Sequence, residues 1–249
     1  MTRGGYFVSL LFRYAMIVAA LMLVLYAIYV ERGGVAAWFL AILIGFSAAT
    51  LRIRPLIVPT GAGTTALYSL APAFFLAALF LIPAGPLVAC IAFAVPLAGL
   101  ITGTRPHKIL FDLSLSILAY GGFSLYLDLG PRTTDPAVPP PAWIGVELLL
   151  AAAVLTAQFL VRSVAIRLER GDKAPHWGAF QRPALVESAY CLALSVLISV
   201  TARIHVALLA TVYVNIIVIS VFVERWRKHV RTLMNASQTQ RVEEERWVA

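Results

Sequence analysis

Charge is scarce in this chain. Of 249 residues only 13% are Asp, Glu, Lys or Arg, about half the share of an ordinary soluble domain. A water-facing globular surface is built largely from such residues, so the deficit excludes a soluble domain. Cysteine is almost missing: Cys90 and Cys191 each lie inside an apolar run. Two such thiols give neither a disulfide framework nor metal-ligand spacing and read as small buried residues. The four histidines, His107, His176, His205 and His229, fall between or after the apolar runs. That placement excludes a bis-imidazole haem pair inside a bundle, and no two of them have metal-binding spacing. The glycine-rich "TGAGTT" (Thr60–Thr65) lacks a following G-K-[ST] and has no evident strand before it. It is therefore not a phosphate loop but a flexible lead-in whose small residues permit close packing. No nucleophile–base constellation is present, so no catalytic residue, cofactor or metal is expected in this chain.

What fills the gap is apolar surface: 61% of residues are hydrophobic, with a mean hydropathy of +0.87. A helix needs about 20 apolar residues to cross the hydrocarbon of a bilayer, with a usable range of about 17–25. Eight candidate spans follow: Tyr14–Val30, Val35–Leu51, Leu67–Leu81, Pro86–Ile101, Leu110–Leu127, Ala142–Val161, Leu185–Val200 and Val206–Val223. The third, fourth and seventh are at or below the lower limit. "IPAGP" and "TARIH" read as tight turns between the third and fourth and the seventh and eighth. The first run is too long for a signal-peptide core, and "VERGG" is no cleavage site, so it reads as a retained span.

Cation placement tests the count. With eight spans, 17 of the 20 Lys and Arg fall on one side, together with both termini, and only Arg32, Arg132 and Arg203 fall on the other. Cytoplasmic loops collect Lys and Arg, so the richer side is cytoplasmic. The same rule explains the net charge of +8 without a nucleic-acid partner. Trp38 and Trp143 fall near the outer interface, and "DLGPRTTDPAVPPPAW" reads as an ordered or extended outer connector. No internal repeat supports an inverted-repeat transporter. The expected fold is all-α: a polytopic transmembrane helical bundle of about eight spans with a C-terminal cytoplasmic helix. Its partner is the lipid bilayer, and both termini are cytoplasmic.

Ionisable residues inside spans are costly and raise functional hypotheses. Here they are Arg13, Asp112, Glu147, Arg162 and Glu187. The three acids lie near helix N-termini, Arg162 lies near a C-terminus, and Arg13 precedes its span, positions that the helix dipole and snorkelling explain. Each reads as structural, which argues against ion-coupled transport. Asn215, near the middle of the eighth span, is the deepest strong hydrogen-bonding side chain. It reads as an interhelical amide bond or as a residue that couples two helix packings.

The chain divides into a transmembrane bundle, residues 1–223, and a cytoplasmic linker helix, residues 224–249. From Val223 onward no Gly or Pro interrupts "ERWRKHVRTLMNASQTQRVEEERWVA". Val223, Trp226, Val230 and Leu233 follow the 3-4-3 spacing of a coiled-coil seam, which then turns polar at Ser237, Gln240 and Glu244. With Asn215, the seam residues Trp226, Val230 and Leu233 are the candidates for signal coupling. A basic amphipathic helix on the inner leaflet accounts for Arg225–Arg231 as well, but not for Glu243–Glu245.

The closing "EEERWVA" resembles the run that opens the phosphoacceptor helix of one class of bacterial sensor histidine kinases. There a stretch of type E-E-R-x-I-A precedes R-E-L-H-D, which carries the phosphorylated histidine. Glu244, Glu245, Arg246, Val248 and Ala249 match its first part, with Val for Ile. His229, set in "RKHVRTL", does not stand in for that histidine. The segment Pro55–Leu127, with its Pro- and Gly-punctuated short spans, is similar to membrane input regions of bacterial kinases and cyclic-di-GMP enzymes. Some of these look like the small-molecule-binding components of vitamin-uptake transporters. The resemblance implies a membrane sensor region in the bacterial cytoplasmic membrane, a homodimer through the C-terminal helix, and an output domain after Ala249. The cue would be a small apolar ligand or the state of the membrane. Two alternatives stand: a substrate-binding subunit or small transporter, and the anchor of a cyclic-di-GMP enzyme.

Overall fold

Lipid offers backbone N–H and C=O groups no partners, so a chain this apolar satisfies them within its own helices. The computed structural model describes residues 3–30, 34–53, 56–59, 65–129, 140–170, 177–204, 211–218, 221–222 and 225. Helix α1 (Arg3–Tyr29) and α2 (Val35–Ile53) are followed by a short antiparallel hairpin, β1 (Leu56–Pro59) and β2 (Thr65–Tyr68). Then come α3 (Ala71–Leu81), α4 (Ala84–Ile101) and α5 (Pro106–Ser116). A π-helical turn (Ile117–Gly121) leads into α6 (Gly122–Leu129), followed by α7 (Pro140–Arg170) and α8 (Trp177–Ile204). Residues 211–218 and 221–222 are also helical.

Among the described residues, six helical segments are long and apolar enough to cross a membrane: Phe7–Tyr29, Val35–Ile53, Ala84–Ile101, Pro106–Asp128, Ile144–Leu168 and Leu185–Ala202. The chain is thus a helical, multi-pass membrane protein. Phe7, Leu11, Met22 and Ile28 of α1 are all exposed, the lipid-facing surface such a helix presents.

The third expected span requires correction. Its first residues, Leu67 and Tyr68, belong to β2, and the helix occupies only Ala71–Leu81. Eleven residues reach about 16 Å, half the hydrocarbon thickness. They need not match lipid, because α3 is enclosed by protein: Ala71, Ala73 and every residue from Phe74 to Phe80 are buried. The same hairpin places a strand before residues 60–64, contrary to expectation. A second strand follows rather than a helix, and the strand–loop–helix order of a phosphate loop is still not met.

Carboxylates distant in sequence hold the backbone just before and just after α3. At its start the Ser69 N–H donates to Glu187 Oε1 of α8 at 3.0 Å. At its far end, "IPAGP" turns the chain as expected, with Ile82 and Pro83 extended. Pro83 occupies the N-cap of α4 and has no side-chain acceptor; Asp128 from the end of α6 supplies one, accepting from the Ala84 N–H at 3.0 Å. A carboxylate at a helix N-terminus satisfies an orphan donor and complements the dipole. Asp128→Ala should therefore lower stability by about 1 kcal/mol, read as a lower melting temperature in detergent. Asp128→Asn should lose less, because the amide oxygen still accepts.

Two glycines set close geometry. Gly103 has φ +66° and closes α4: Thr104 N–H reaches Gly99 O at 2.8 Å and Gly103 N–H reaches Leu100 O at 3.2 Å. This paired pattern ends a helix in a left-handed residue, and Pro106 then opens α5 at once. In the π turn, a Cβ at Gly121 would lie 2.9 Å from both Leu23 of α1 and Val88 of α4. Three elements meet there because one residue has no side chain.

Candidate functional site

The polar side chains that sequence scatters along the chain converge near one end of the bundle. Asp112, two turns into α5, accepts from Arg52 Nη2 at 2.7 Å and from Arg162 Nη2 at 3.4 Å. Arg52 ends α2, and Arg162 lies toward the end of α7. One carboxylate thus ties three helices together, each of its oxygens taking one arginine. Charge-assisted bonds of the shorter length are roughly twice as strong as neutral ones. Asp112 is 13% exposed, Arg52 25% and Arg162 54%, so the first pair is the anchored one and the second the looser.

Around this cluster lies a second ring of polar contacts. Glu187, which caps α3 through Ser69, stands within electrostatic reach of Arg162. Cys191, one turn further along α8, donates weakly to the Ser69 carbonyl at 3.7 Å. Deeper in the bundle, the buried Tyr120 donates its hydroxyl to Gln158 Oε1 of α7 at 3.2 Å and packs against Phe75 with centroids 5.4 Å apart. Tyr120 belongs to the π turn, whose extra residue per turn displaces side chains relative to an α-helix; such turns recur at functional sites. On α1, the Arg13 guanidinium sits 5.9 Å from the Phe111 ring, beside Asp112.

Of the five expected intramembrane charges, Asp112, Arg162 and Glu187 therefore meet in one region, and Arg13 stands at its edge. Glu147 is separate. It is 1% exposed, the one fully buried charged side chain among the described residues, and accepts from Ser199 Oγ of α8 at 3.3 Å.

Asn215 lies on the exposed face of its helix, and its Nδ2 donates to the Thr211 carbonyl one turn back at 2.8 Å. The contact that joins this helix to the bundle comes instead from Tyr213. Its hydroxyl donates to Thr50 Oγ1 of α2 at 2.9 Å, and its ring meets Phe74 of α3 edge-on at 6.3 Å. Ile216 is buried on the same side. Trp226, Val230 and Leu233 lie outside the described residues.

Sequence reading missed Arg52, Tyr120, Gln158 and Tyr213. Arg52 was indistinguishable from the loop cations beside it, and its partner is 60 residues away. Tyr120 and Tyr213 are aromatics inside apolar runs, where nothing local marks which face they occupy. A hint for Tyr120 was the adjacent Gly121–Gly122 pair, an unusual interruption of a span.

No protein-family model matches the chain, and comparisons with curated proteins and with solved structures found no match.

Proposed function

We propose that this chain is the membrane-embedded sensory and anchoring region of a bacterial signalling protein, in the cytoplasmic membrane with both termini inside. The kinase-like "EEERWVA" makes a histidine kinase the preferred output. In this reading a cue biases two packings of the bundle, and the last transmembrane helix passes the bias to a cytoplasmic output domain. A cue has such an effect only through different free energies of interaction with the two packings.

The observation that carries the reading is the seat of the 211–218 helix. Tyr213 bonds to α2 and packs on Phe74 of the buried α3, while the same chain runs on toward the charged tail. A shift of α3 relative to its neighbours therefore bears directly on the last helix. About one turn before Phe74, the start of α3 is held through Ser69 by Glu187, which lies within electrostatic reach of Arg162 in the polar cluster. These contacts support a path from the polar cluster through α3 to the tail.

The reading expects a dimer through the C-terminal helix. With cysteines placed singly at Val230 and Leu233, oxidation in native membranes should give disulfide-linked dimers. The native Cys90 and Cys191 are buried and should not contribute. Monomer alone from both tail variants, with protein present in the membrane, would count decisively against the signalling reading.

A further inference from the structure

The side chain of Asn215 faces away from the bundle. Asn215 is exposed, as are Val214 and Val218 around it, whereas Tyr213 and Ile216 turn toward the other helices. The apolar run Val206–Val223 holds no charged residue, and Asn215 is its tenth of eighteen. Tyr213, two residues earlier, meets Thr50 inside the α2 span, so the amide faces the bilayer rather than a loop. A carboxamide carries two N–H donors and a carbonyl acceptor. One donor goes to the Thr211 carbonyl of the same helix at 2.8 Å. Among the described residues the second donor and Oδ1 meet no partner, and acyl chains offer none. In membranes such groups are satisfied by the side chains of a facing helix.

A second copy of this chain supplies what the amide lacks. Asparagine is its own complement: across a two-fold axis each Nδ2 donates to the other copy's Oδ1, and one contact serves both. An unrelated partner would need a matching donor and acceptor at the same depth. Copies inserted the same way meet in parallel, so equal depth comes without further adjustment. Val214 and Val218, four residues apart, share one side of the helix and give the facing pair apolar surface beside the amides. The same face recurs in the tail sequence. Trp226 and Leu233 follow Asn215 by eleven and eighteen residues, about three and five turns of a helix. In helical register, the seam that would pair two tails and the face that would pair two last spans are one stripe.

We propose that Asn215, with Val214 and Val218, is the centre of a parallel homodimer contact between the last membrane helices of two copies, joined by reciprocal amide bonds. The contact rests on the signalling reading only for its continuation into the tail. It gives this helix two neighbours: the Thr50 and Phe74 side of its own bundle through Tyr213, and the second copy through Asn215.

The test uses the full chain, labelled in separate batches with donor and acceptor fluorophores and reconstituted together in phosphatidylcholine vesicles. Energy transfer is followed as added lipid dilutes the protein. Transfer should report a dimer, and Asn215→Leu should weaken association about tenfold, the weight of two interhelical hydrogen bonds of average strength. Leucine at an exposed position should leave the fold intact, read as unchanged far-UV circular dichroism. Asn215→Gln keeps the amide and should restore most of the association. Thr156→Val removes an exposed hydroxyl bonded to the Ala152 carbonyl of its own helix and should change nothing. Transfer absent at every dilution, association indifferent to Asn215→Leu, or equal loss in Thr156→Val would overturn the contact. Tail crosslinks at Val230 and Leu233 with association indifferent to Asn215→Leu would remove this contact and keep the signalling reading. Association that depends on Asn215 without tail crosslinks would keep the contact and remove that reading.

Discussion

Asp112→Ala should destabilise the bundle by about 3 kcal/mol, one of the two largest effects expected of a single substitution. Removing one partner of a buried ion pair costs about 3–5 kcal/mol, because the remaining charge stays desolvated without compensation. The lower end applies because Arg52 keeps 25% of its side-chain exposure and Asp112 13%. The loss falls on three helices at once, since the carboxylate joins α2, α5 and α7. Unfolding followed in detergent by far-UV circular dichroism would measure it. The double variant Arg52→Leu with Asp112→Leu should lose less than Asp112→Ala alone, because the only charge left without Asp112 is Arg162, which is half exposed and solvated. A double variant as unstable as the sum of its parts would show that the pair acts through packing rather than charge. Arg162→Leu should cost little by comparison, given its longer bond and 54% exposure.

Phe74→Ala should be of similar size, about 3–5 kcal/mol, through a cavity at the first turn of the buried α3. Phe74 has no exposure and is enclosed on every side by the helices around α3. It also forms one wall of the seat of Tyr213. Two readouts should therefore move together: lower thermal stability, and faster amide hydrogen exchange across residues 211–218. Phe93→Ala is the control. Phe93 is likewise in an aromatic pair, with Phe46 at 5.0 Å, but 43% of it is exposed. Its loss should cost far less and leave exchange at 211–218 unchanged. Equal effects from the two phenylalanines would mean that α3 is not the support of the last helix.

The boundary between what was legible and what was not follows from the solvent. The spans at Val35 and Leu185 begin within α2 and α8 and end within a few residues of the helix termini, because backbone hydrogen bonding in lipid leaves a long apolar run no other choice. The turn at Ile82–Pro83 was legible from proline geometry alone. The faces were not. In a soluble helix the polar side marks what is outside, but in these runs lipid-facing and protein-facing residues are equally apolar. So Asn215 read as a helix contact and lies on an exposed face, while Tyr213, two residues before it, makes the contact. For the same reason α3 read as a marginal span: nothing in "APAFFLAALFL" distinguishes a helix enclosed by protein from one bathed in lipid.

By itself, then, the sequence determined a helical chain for a membrane, since composition sets the solvent and the solvent dictates helices. Tertiary structure alone decided that Arg52, Asp112 and Arg162 share one site, that a short buried helix takes the place of a full span, and that Tyr213 seats the last helix. Those facts depend on contacts between residues 50 to 163 positions apart, and no local pattern encodes a partner at that distance.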